Sequence, residues 1–238
     1  MSTTPLQEVA APTSRRGFFK RAGLGLGAVA VASNLAACDS DDGGDADVTF
    51  DFSNDFGVLN YAYALEQLEA AFYDTVVTDG SYGSTFSAAE RAVFDDLAQH
   101  EAIHRDFLRA AIVMAGGESA VIGSLTPNFD SVTFSSRSSV LQTAQALEDT
   151  GVGAYNGAGR YIQDEGYLLI AGKIVSVEAR HASVISNLIQ QYSIAGPRTI
   201  TSDTALDAIL RPSEVVGRGG AATPFISTSI RLTNVPSS

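Results

Sequence analysis

Two short stretches, Glu101-Ala-Ile-His104 and Glu178-Ala-Arg-His181, each place a carboxylate and an imidazole three residues apart. On a helix that spacing sets both side chains on one face, a turn apart. The chain has three histidines, and two of them fall in this arrangement. Glutamate oxygen combined with histidine nitrogen is a donor set for a divalent first-row metal ion. One such pair is as readily a solvated helix face with a chance histidine, so the flanking residues carry the argument. Phe94, Leu97, Glu101, His104, Leu108 and Ala111 step by 3, 4, 3, 4, 3, and Ala171, Ile174, Glu178, His181, Ile185 and Leu188 take the same steps. That period marks the buried seam of a bundle helix. The charged groups therefore lie on the apolar seam, where an unpaired carboxylate costs several kcal/mol or takes up a proton. A metal ion is an economical neutraliser.

Two further helices supply matching seams. A first helix from about Phe56 to Val77 carries Leu59, Ala62, Glu66, Glu69, Tyr73 and Val76 at these steps. A third, from about Ser139 to Gln163, carries Leu141, Ala144, Glu148, Gly151, Tyr155 and Ala158. Glu148 thus holds the register position of Glu66, and Gly151 falls opposite the position of Glu69, leaving room there. Ser87-Ala-Ala-Glu90 reads as a capping box opening the second helix, which should stop at Gly116-Gly117. From Gly116 to about Ser136 there is no sustained period, which suits a crossover along the bundle, with Val132-Thr133-Phe134 as a short extended piece. Asp164-Glu165-Gly166 makes a turn before a fourth helix over Tyr167 to about Tyr192. The remainder is rich in Ser, Thr, Gly and Pro, with at most a turn or two of helix near Ala205–Leu210 and apolar residues enough to pack partly on the bundle.

The order is helix-Glu, helix-Glu-x-x-His, crossover, helix-Glu, helix-Glu-x-x-His, with 35 residues from Glu66 to Glu101 and 30 from Glu148 to Glu178. It reads as a duplicated helix pair. In this arrangement the chain resembles the ferritin-like superfamily, which includes rubrerythrins and bacterioferritins. It is most similar to exported ferritin-like proteins grouped with desiccation-related proteins, through the run Leu65-Glu-Gln-Leu-Glu-Ala-Ala-Phe-Tyr73. The resemblance covers roughly Asp55 to Gln191. It implies an all-α fold, a ferritin-like four-helix bundle with a long crossover between helices 2 and 3 and an irregular C-terminal tail. It also implies two metal ions, iron or manganese, held by Glu66, Glu101, His104, Glu148, Glu178 and His181.

A Tyr seven residues after the single Glu recurs in first helices of the family, which favours Glu66 over Glu69 as ligand. Tyr73 and Tyr155 are the candidate catalytic residues, able to bond a ligand carboxylate or relay an electron; a core aromatic with a satisfied hydroxyl is the plainer role. Glu69 reads as an extra or movable ligand, or as a partly exposed acid. His100, one residue off the seam, suits the surface or a place behind the ligands.

The amino terminus reads differently. Ser14-Arg-Arg-Gly-Phe-Phe-Lys20 resembles a twin-arginine export signal, followed by a Gly/Ala-rich apolar segment too short for a comfortable membrane span. Leu35-Ala-Ala-Cys38 resembles a lipobox, whose Cys is lipidated and becomes the new amino terminus; a plain cleaved signal with an incidental Cys is the alternative. Residues 1–37 are then signal peptide, 38–50 an acidic tether, 51–195 the bundle and 196–238 the tail. Of 15 basic and 27 acidic residues, loss of 1–37 removes Arg15, Arg16, Lys20, Arg21 and Glu8, leaving a formal charge of −15. That charge argues against nucleic acid as a partner.

The expected partners are metal ions with dioxygen or hydrogen peroxide, the twin-arginine export machinery, and a membrane through a lipid on Cys38; the fold also allows a homo-oligomer. The expected location is outside the cytoplasm, in the periplasm or cell envelope. The expected chemistry is of ferroxidase, peroxidase or manganese-catalase type. The competing class is a non-enzymatic envelope or desiccation-stress protein that only holds metal. An iron-storing cage fits poorly with a tethered amino terminus.

Overall fold

Each of the four long helices begins at a side chain that caps it. Asn54 accepts a hydrogen bond from the Gly57 N–H at 3.2 Å and opens α1 (Asp55–Thr78). Ser87 accepts from Glu90 N–H at 3.3 Å while the Glu90 carboxylate accepts from Ser87 N–H at 2.9 Å, the reciprocal box at the head of α2 (Ala88–Gly116). Ser136 and Asp164 cap α3 (Arg137–Ala158) and α4 (Glu165–Ile189). A cap of this kind stabilises a helix by about 1 kcal/mol. The computed structural model describes residues 48–195, 200–201 and 204–235, all within one unit, Asp42–Ser238. The expected export signal and the expected lipobox with Cys38 lie outside the described residues.

The fold is an all-α four-helix bundle, to which, among the described residues, two four-residue strands are added. α1 packs mainly on α2, and α3 on α4, and the short links make each pair antiparallel. The link from α2 to α3 runs along α1 and is clipped to it by two side chains. Asn60 donates to Ala120 O and accepts from Ile122 N–H, and Gln67 accepts from Leu125 N–H at 2.9 Å. Two segments far apart in sequence close against the same wall: β1 (Val48–Asp51) pairs in parallel with β2 (Ile230–Thr233), Val48 opposite Ile230. Phe50, Phe52 and Tyr61 meet edge-on beneath this pair. Among the described residues no helix is long and apolar enough to cross a membrane.

Several local expectations are corrected. Val48–Asp51, placed up to residue 50 in the acidic tether, is a strand with Val48 and Phe50 buried. Val132-Thr133-Phe134 is not extended, because Val132 N–H and Ser136 N–H close turns onto Phe129 O and Thr133 O. α3 stops at Ala158, short of Gln163. There the Gln163 and Asp164 N–H groups donate to the Asp55 carboxylate at 2.7 and 3.0 Å, drawing the chain toward the head of α1. α4 starts at Glu165, ahead of Tyr167, because Asp164 caps it, and ends at Ile189 before the left-handed Tyr192. In the tail the helical turn lies at Pro212–Val215, where Arg211 N–H donates to the Glu214 carboxylate, and not over 205–210. Leu210 instead crosses α3: its carbonyl oxygen would sit 1.8 Å from a Cβ on Gly157, so only glycine admits the chain there.

Candidate metal centre

Because Glu and His occupy seam positions, the bundle turns them inward at the middle of each helix. α1 supplies Glu66 and Glu69, α2 Glu101 and His104, α3 Glu148, and α4 Glu178 and His181. Glu66, Glu101, Glu148 and Glu178 have no exposed surface. The six expected ligands come together in two groups, Glu66, Glu101, His104 and Glu178, and Glu101, Glu148, Glu178 and His181. Within each group the donor atoms lie inside 4.8 Å of one another. Glu101 and Glu178 belong to both groups, so the two Glu-x-x-His carboxylates are shared while Glu66 and Glu148 are terminal.

The contacts cross between the repeats. Nδ1 of His104 is nearest Glu178, at 2.8 Å, with Glu101 and Glu66 at 3.4 and 3.5 Å. Nδ1 of His181 is nearest Glu101, at 2.6 Å, with Glu178 and Glu148 at 3.5 and 3.7 Å. None of these approaches has hydrogen-bond geometry. Both Nδ1 atoms, both oxygens of Glu101 and Glu178, and Oε2 of Glu66 and Glu148 are buried without a hydrogen-bond partner. Donors crowded together and left unpaired would each be costly to bury. They fit a pair of divalent ions, which would organise them all.

The remaining oxygens of Glu66 and Glu148 are held. Tyr73 O–H of α1 donates to Glu148 Oε1 at 2.5 Å, and Tyr155 O–H of α3 donates to Glu66 Oε1. Burial first, and the adjoining carboxylates next, push both phenols well above their usual range, so each keeps its proton and remains a donor. Each tyrosine thus serves the glutamate of the opposite repeat.

Burial and mutual repulsion set the protonation of the cluster. Burial and then neighbouring carboxylates push Glu66, Glu69 and Glu148 well above the ordinary carboxylate range. Burial would also raise Glu101, but the adjoining His104 and His181 outweigh it and bring it to about 2. Burial would lower the two imidazoles, yet the surrounding glutamates raise His104 to about 12 and His181 to about 11. A metal ion bound through these imidazoles would therefore displace protons.

Two features are finer than the sequence reading. Glu69 is 2 % exposed, which removes the option of a partly exposed acid. His100 is at the surface and also stands behind a candidate ligand: its Nδ1 lies 3.0 Å from Nε2 of His181, with the rings stacked at 12°. The signal for that contact was His100 lying four residues before His104, but the partner it chose is on another helix.

The family model described as a ferritin-like domain matches residues 54–191, a span that takes in all four helices and every residue of the cluster. Among curated proteins none matches the chain.

Proposed function

The chain belongs to the ferritin-like domain family, and from that premise we propose an exported protein that holds two iron or manganese ions and reacts with dioxygen or hydrogen peroxide, protecting against oxidative or desiccation stress. The observation that carries this reading is the fully buried set of four glutamates and two histidines in two groups sharing Glu101 and Glu178. Bound there, the pair of ions would supply the electrons for reduction of the oxidant. Every other task falls to side chains of this chain.

Glu101 and Glu178 tie the two groups together, and His104 and His181 each present Nδ1 to the cluster. Tyr73 and Tyr155 fix one oxygen of Glu148 and Glu66 and leave the other free to ligate. His100 holds Nε2 of His181 and so orients its ring. The apolar seams above and below the cluster, with Phe94, Leu97 and Ile185 buried, exclude bulk water. The twin-arginine motif and Cys38 motivate the rest of the proposal: folding and metal loading precede export, and a lipid on Cys38 tethers the protein to the envelope.

Purified protein reconstituted with Fe(II) or Mn(II) should bind two ions per chain and consume peroxide. Glu148→Ala and His181→Ala should lose that activity. Equal rates in the variants and the parent would leave a protein that holds metal without turnover. Cys38→Ala should move the protein from the membrane fraction to the soluble one; an unchanged distribution would remove the lipid anchor.

A further inference from the structure

Glu69 is the buried acid that the two ligand groups leave out. It is 2 % exposed, and its Oε2 has no hydrogen-bond partner. Its Oε1 lies 2.8 Å from where a Cβ would stand on Gly151, so the carboxyl fills the recess left by the missing side chain on α3.

The register of α1 against α3 locates that recess. Tyr73 meets Glu148 and Tyr155 meets Glu66, so rising numbers on α1 face falling numbers on α3 and the helices run antiparallel. Glu69 opposite Gly151 falls between these two contacts. It therefore stands at the midpoint of the α1–α3 wall, beside neither terminal ligand but between them. The charges of Glu66, Glu101, Glu148 and Glu178 all bear on it. A duplicated helix pair meets itself at this point. An acid on both helices would set carboxylate against carboxylate, and one acid facing one glycine removes the collision.

A carboxylate buried without a donor costs several kcal/mol or takes up a proton, and among the described residues Oε2 of Glu69 has no hydrogen-bond partner. We propose that Glu69 is a seventh metal ligand, serving the ion pair from the middle of the α1–α3 wall, with Gly151 as the recess into which it withdraws. The proposal rests on the reading that the cluster holds two ions. Its hard oxygen donors suit iron or manganese. One carboxylate on this wall makes the coordination of the duplicated site unsymmetrical.

Co(II) is a suitable probe, because its visible bands weaken as coordination number rises. The full chain, stripped of metal, is titrated with Co(II) alone, in parallel with Glu69→Gln. The parent should bind two ions; Glu69→Gln should bind with affinity lower by about tenfold or more and with stronger visible bands. Gly151→Ala, which fills the recess, should change the Co(II) spectrum of the parent and be silent in a Glu69→Ala background. Without metal, Glu69→Gln should raise the unfolding midpoint, since the acid is uncompensated there. A fall in that midpoint, or a variant that fails to fold, would make Glu69 a structural residue and overturn the assignment. Unchanged affinity and spectrum in Glu69→Gln, with two ions still bound, would overturn the seventh ligand alone. A parent chain that binds no Co(II) would overturn the two-ion reading and this proposal with it.

Discussion

In the half of the site built on α1 and α2, Glu66 and His104 face the shared pair Glu101 and Glu178; in the half built on α3 and α4, Glu148 and His181 do so. The donors match, and each terminal glutamate is held by a tyrosine from the other half. The surroundings do not match. His104 shows 13 % of its side chain to solvent and His181 5 %, and it is His181 that has His100 stacked behind it. Glu69 lies on one side of the midpoint and Gly151 on the other. The same donor types thus recur on the two helix pairs. The positions around them differ where only one occupant fits or where solvent begins.

The largest effect should come from the shared carboxylates. Glu101→Ala should reduce bound metal from two ions to none after dialysis, whereas Glu66→Ala should retain the ion of the His181 half, as read by elemental analysis. If Glu101→Ala keeps one ion, the carboxylate is not shared.

Next comes a pH effect confined to the metal-free protein. Its imidazoles stay protonated to about 12 and 11, against 6.5 for an ordinary histidine. Above pH 6.5 the folded chain therefore binds protons that the unfolded chain has released. Their stabilising contribution is complete below about pH 6.5 and is lost as pH rises through the folded values. The metal-free protein should melt lower at pH 10 than at pH 7, and the loaded protein should show a smaller difference. An equal decline in both would mean these imidazoles are not the groups that metal displaces.

His100→Ala should separate the halves, weakening retention of the His181-side ion by about 10–100-fold and leaving the other unchanged. Chelator-release kinetics should show this as one faster phase. Two phases accelerated alike would mean that His100 acts on the whole bundle.

The smallest effects should be those of Tyr73→Phe and Tyr155→Phe, about 1–3 kcal/mol each in urea unfolding, since each leaves a buried carboxylate oxygen without its donor. A clear inequality between them would show that the crossed tyrosine contacts are less alike than their geometry.

Much of the site was legible before folding, because helical period is a local property. Steps of 3 and 4 along each seam put Glu66, Glu101, Glu148 and Glu178 on the faces that had to be buried, and the i, i+3 spacing added His104 and His181. Helix starts were legible where a cap announced them, as at Ser87, and less so at Asp164, where the adjoining Gly166 signals a turn as readily as a helix start. The α3 end was misplaced because Asp55, over a hundred residues away, captures the Gln163 and Asp164 backbone. The strand at Val48–Asp51 was hidden because its partner, Ile230–Thr233, is at the far end of the chain.

Sequence alone determined which side chains turn inward and that the donor set occurs twice, since both follow from periodicity within single helices. Tertiary structure decided who meets whom. Tyr73 reaches Glu148 and Tyr155 reaches Glu66, His100 backs His181, and Glu69 comes to rest over Gly151. Those pairings depend on the antiparallel register of one helix against another, which is set by the packing of whole faces and is written in no single stretch of the chain.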